Sequence, residues 1–184
     1  MSRLPNGYIE LEYIESTGEQ YIDTGFTWET STKIDFTIER LGDNIGQTAG
    51  TSRANVWFGA NGSTATENML GWGATGSTNY FRGSTGSSYY TLPLNTKTNI
   101  TFDYTKGAIK LFVNGVQQGG TGASTNTITS KILLYGVVDI TSTAPILFCL
   151  ERFYENVKLW NGETLVADFI PAKRTSDSAI GMYD

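Results

Sequence analysis

Between Ile100 and Gln118 the chain reads ITFDYTKGAIKLFVNGVQQ, and this run leaves few folds open. Ile100, Phe102 and Tyr104 alternate with Thr101 and Asp103, and Ile109, Leu111 and Val113 resume the alternation after Lys106-Gly107. A period of two marks half-buried strands. The Lys-Gly pair is then the bend of a hairpin, and Asn114-Gly115 is a second turn of the kind that needs positive φ. Two tight turns in one short run make an antiparallel meander, the unit from which all-β sandwiches are built.

The rest of the chain agrees. Its 184 residues suffice for one sandwich, so a single domain spanning 1–184 is expected. Charged residues make up 17%, below the roughly 25% of globular chains. Much of the excess glycine sits between Gly42 and Gly86, where it reads as turns separating short aromatic strands. A net charge of −5, an isoelectric point of about 4.8 and the lack of any Lys/Arg-rich run argue against nucleic acid as a partner. No run reaches the roughly 18 apolar residues of a membrane span, and Met1 to Pro5 does not open a signal peptide. Cys149, the single cysteine, sits in the apolar run Ile146 to Leu150 and reads as a small buried hydrophobe.

In chain order, Tyr8 to Ile14 reads as one strand with Ile9, Leu11 and Tyr13 on one face, and Gln20 to Asp23 runs extended into Phe26. Thr32 to Glu39 alternates so cleanly that a central strand is expected. Lys131 to Val138 is apolar enough to be buried on both sides. Phe148 to Trp160 reads as the longest strand, with a bulge near Glu155-Asn156. Asn161-Gly162 signals a hairpin that returns to Pro171. No segment has a helical period.

Three blocks resemble a known group: Leu11 to Phe26 (LEYIESTGEQYIDTGF), the central FDYTKGAIKLFVNGV, and Val157 to Asp184 with its NG turn, LVADFIP and GMYD. They are similar to concanavalin A-like, laminin-G-like domains common in phage and prophage tail or surface proteins. The resemblance implies a two-sheet antiparallel jelly-roll sandwich, all-β, carried on a virion and made in the host cytoplasm. It implies bacterial cell-surface polysaccharide and other virion proteins as partners, in a homo-oligomer of the trimeric kind. The stretch from Gly42 to Gly86 matches no part of that pattern.

Chemistry narrows the job further. Without histidine, Ser/His/Asp and Cys/His nucleophile systems and His-ligated metals are excluded. The run Glu10-Leu11-Glu12-Tyr13-Ile14-Glu15 resembles the two-carboxylate strand of family-16 glycoside hydrolases, but Glu12 stands where that strand carries Asp, and a regular strand turns Glu15 away from Glu10. Asp23 and Asp139 are candidate calcium ligands, yet no D-x-D-x-D-G loop accompanies them, and no cofactor is expected. Sugar recognition needs ring faces for stacking and polar groups for hydroxyls. Trp57, Trp72, Asn79, Tyr80, Arg82 and Tyr89 supply both, so a non-catalytic glycan-binding module is the expectation. Trp28 fits a loop or the core equally well. A virion assembly protein without a glycan ligand and a glycoside hydrolase are the alternatives.

Overall fold

The computed structural model describes residues 3–18, 20–42, 56–61, 67–72, 79–83, 86–90, 92–105, 108–122, 131–138, 145–146 and 150–184; in the strands from 56 to 90 it describes the backbone alone, Gly59 excepted. The strands are β1 (Tyr8–Glu10), β2 (Tyr13–Glu15), β3 (Ile22–Thr27), β4 (Thr32–Arg40), β5 (Val56–Asn61), β6 (Glu67–Trp72), β7 (Asn79–Gly83), β8 (Gly86–Tyr90), β9 (Thr98–Thr105), β10 (Ala108–Val113), β11 (Val116–Gly122), β12 (Lys131–Leu134), β13 (Val137–Val138), β14 (Pro145–Ile146), β15 (Glu151–Tyr154), β16 (Val157–Asn161), β17 (Thr164–Arg174) and β18 (Ile180–Tyr183). No helix occurs among the described residues.

Two antiparallel sheets form the layers. The larger, of ten strands, runs β1-β17-β16-β4-β9-β10-β11, with β15 on β4, β2 on β15 and β18 on β17. The smaller runs β3-β12-β5-β6-β7-β8. The meander forms as its alternation dictates: β9 pairs with β10 from Thr105↔Ala108 to Ile100↔Val113, and β10 turns into β11 through Asn114 and Gly115 at φ 49° and 79°. Left-handed backbone at both turn positions matches the right-handed twist of the flanking strands.

Strand β4 is central, with β9 on one side and β15 and β16 on the other. Its Ile34, Phe36 and Ile38 are fully buried, and they meet Phe102, Ile100 and Thr98 across β9. Fully burying such a side chain contributes about 1.5–3 kcal/mol. Trp28 is a core residue, 1% exposed, its ring edge-on to Phe102 at 5.7 Å and Tyr104 at 5.3 Å. The Tyr135 hydroxyl donates to the Ile14 carbonyl at 2.6 Å and accepts from the Phe153 amide at 3.3 Å, so this buried phenol is satisfied on both counts.

Three expectations need correction. Tyr8 to Ile14 is not one strand: β1 pairs with β17 and β2 with β15, because the chain steps from one partner to the other at Leu11-Glu12. Ile9 consequently lies 53% exposed while Ile14 enters the core. Phe148 to Trp160 is likewise not one strand; Glu155 and Asn156, the latter at φ 65°, part β15 from β16, although both halves lie along β4. The strand after Asn161-Gly162 passes Pro171 and continues to Arg174. Cys149 lies outside the described residues.

Candidate functional site

The register of the small sheet distributes the ring-bearing residues. Directly opposed residues share a sheet face, and the face alternates along each strand. One row reads Ile22, Leu134, Phe58, Leu70, Phe81, Ser88, and its neighbour reads Asp23, Leu133, Gly59, Met69, Arg82, Ser87. Leu134 belongs to the central core cluster and Ile22 packs against it, whereas Asp23 is exposed and Leu133, although only 2% exposed, is no part of that cluster. The first row is therefore the core side and the second the outer side, which is covered at Leu133 and Gly59.

Extending the pattern by one residue puts Gly71, Tyr80 and Tyr89 in an outer row and Trp72, Asn79 and Tyr90 in a core-side row. Tyr80, Arg82 and Tyr89 thus share the outer face, while Trp72 and Asn79 share the opposite one. Trp57 sits at a register irregularity between Val56 and Phe58, which breaks the alternation there. The side chains of all six residues lie outside the described ones.

The outer face of the ten-stranded sheet carries a second feature. Tyr13, Glu15, Thr37, Glu39, Arg152 and Tyr154 alternate with the core residues Ile14, Ile38 and Phe153 and so project together. Arg152 binds Glu15 at 2.7 Å and Glu39 at 3.3 Å, and stands 4.6 Å from the Tyr13 ring centroid. The Tyr154 hydroxyl hydrogen-bonds Glu39. Burial, with the Glu39 carboxylate beside it, pushes the Tyr154 phenol up to about 12, so it stays protonated.

Against this network lies a groove of about 330 Å³ lined by Glu10, Leu11, Glu12, Thr37, Lys97, Tyr154 and Glu155. Lys97 Nζ stands 3.8 Å from the Tyr154 ring centroid and 2.9 Å from Glu12 Oε1. Arg3 engages two of the lining acids, donating to Glu10 at 2.5 Å and standing 3.6 Å from Glu155, and also donates to Asn156 at 2.7 Å. The lining comes from four separate stretches of chain, so no local spacing announces it; only the acidic run Glu10 to Glu15 hinted at it. Glu10 and Glu15 are held by different arginines, Arg3 and Arg152.

Asp23 is engaged by Lys131 at 2.9 Å and accepts the Gly25 amide at 2.8 Å, and the Lys131 ammonium holds its carboxyl below the usual range. Asp139 lies outside the described residues. Among the described residues no three acidic, Cys or His side chains gather as a metal would require.

No family model matches the chain, and no curated protein matches it. Solved structures do. Mouse laminin α1 chain domains LG4-5 are similar over 85% of this chain at a TM-score of 0.55 and 14% identity, although the chain spans only 44% of that structure's length. A heptameric SAP-like pentraxin from Limulus polyphemus is similar over 95% of this chain and 93% of its own at 0.55 and 9%. Carbohydrate binding module CBM66 from Bacillus subtilis is similar over 83% and 94% at 0.50 and 10%. Identities this low speak to architecture alone. The chain has the concanavalin A-like jelly-roll fold.

Proposed function

We propose that the chain is a non-catalytic carbohydrate-recognition module and that sugar lies on the outer face of its six-stranded sheet. The observation that carries this is the register of β6, β7 and β8, which sets Tyr80 opposite Tyr89 with Arg82 on the same face. Two tyrosines at opposed register positions supply the ring chemistry on which sugar C–H faces stack, and an arginine on the same face supplies a fork of donors to hydroxyl oxygens. The Bacillus subtilis carbohydrate binding module shares this fold, which supports the reading. The setting we propose, from the resemblance of the two end blocks, is a virion surface facing bacterial polysaccharide, in a symmetric trimer with other virion proteins.

Binding to an array of bacterial surface polysaccharides tests the platform. Tyr80→Ala and Tyr89→Ala should each weaken binding about two- to tenfold, the size of one lost ring contact. Trp72→Ala, in the core-side row, should lower thermal stability and leave the affinity of the folded protein within about twofold. Wild-type binding by both tyrosine variants would overturn the reading.

A further inference from the structure

The groove on the other side of the sandwich has a fixed floor and a loose cover. The floor is the Tyr154 ring, 5% exposed, its hydroxyl bonded to Glu39 and that carboxylate pinned by Arg152. The cover is Lys97, a primary ammonium on a flexible stem, its side chain 52% exposed and paired with a Glu12 side chain that is 70% exposed. An exposed pair of this kind is weak and gives way easily. A buried ring face beside a carboxylate is a place where an ammonium is held.

We propose that this groove binds an amine-bearing sugar, whose ammonium takes the position over Tyr154 and against Glu12 that Lys97 now fills. The remaining lining explains why the ligand is a sugar. Glu10 and Glu155 are acceptors, engaged by Arg3 at 2.5 and 3.6 Å through one oxygen each and so keeping acceptor sites, and Thr37 both donates and accepts, so the groove suits a ring bearing several hydroxyl donors beside its amine. A lysine side chain brings an ammonium but no hydroxyls, and a uronic or sialic acid brings an anion among three carboxylates. The volume is at the lower end of the about 300–1,000 Å³ typical of small-ligand sites. This site stands apart from the tyrosine platform on the opposite sheet, and either can fail without the other.

The test titrates the full chain with glucosamine trisaccharide, N-acetylglucosamine trisaccharide and a blocked Gly-Lys-Gly peptide, reading affinity by calorimetry and location by amide chemical shifts. Glucosamine trisaccharide should shift the Glu12, Lys97 and Glu155 amides, and acetylation should weaken binding at least about tenfold by removing the charge. Glu12→Gln should weaken it about fivefold. Lys97→Ala should strengthen it about three- to tenfold, because the variant lacks the built-in competitor. Shifts at the Glu12, Lys97 and Glu155 amides, and not at Tyr80 and Tyr89, report this site. The proposal falls if glucosamine trisaccharide does not bind, if Lys97→Ala weakens binding or leaves it unaltered, or if the acetylated sugar binds equally. Peptide binding as tight as the sugar's would also overturn it and point to a protein partner.

Discussion

At the scale of single residues, partners decide which groups matter. Arg174 binds Asp177 through two contacts, and the Asp177 carboxylate also accepts the Ala179 amide, which braces the turn leading into β18. The guanidinium, helped by that amide, draws the Asp177 carboxyl down to about 2. Because the folded value lies below the unfolded one, the stabilisation is whole above roughly pH 4 and fades as pH falls through about 2. A carbon-13 NMR titration of Asp177 should therefore show a midpoint well below that of an unstructured aspartate, and Arg174→Ala should move it back up. Trp28 shows the limit of reading single residues from sequence. Its neighbours Thr27 and Glu29 suit a loop as well as a core, and only the rings of Phe102 and Tyr104, far away in the chain, settle its place.

At the scale of strands and turns, what is local was legible. The alternation of Thr32 to Glu39 and of Ile100 to Val113, and the turns at Asn114-Gly115 and Asn161-Gly162, declare themselves through nearest neighbours and backbone chirality. What depends on a distant partner was not. Nothing within Tyr8 to Glu15 says that β1 will follow β17 and β2 will follow β15, and nothing within Asn79 to Tyr90 says which ring-bearing row faces the core. The Asn114-Gly115 turn yields a clean test. A Cβ at Gly115 meets no atom within 4 Å, so Gly115→Ala adds no clash and only the positive φ opposes it. The variant should lose about 1 kcal/mol, visible as a lower urea midpoint at unchanged slope.

For the molecule as a whole, the core lies between two sheets whose outer faces differ in character. One bears Tyr80, Arg82 and Tyr89, and the other a lattice of paired charges around Tyr154. The layers share one core, so damage there is felt on both faces. Phe36→Ala, at a fully buried site beside Phe153, should cost about 3–5 kcal/mol and weaken binding on either face only through loss of folded protein. Thermal unfolding followed by near-ultraviolet circular dichroism, with affinity measured well below the midpoint, separates the two effects.

Strand β17 takes β1 on one edge and β18 on the other, so β1 has a backbone partner that follows it far along the chain. At about 5–20 residues per second, a ribosome leaves Tyr8 to Glu10 waiting on the order of ten to thirty seconds before Ala172 to Arg174 emerge. During that delay the nascent polypeptide holds an unmatched ribbon edge with Ile9 on it. Completion of the large layer thus waits for the end of β17, and chaperone demand should last through that delay.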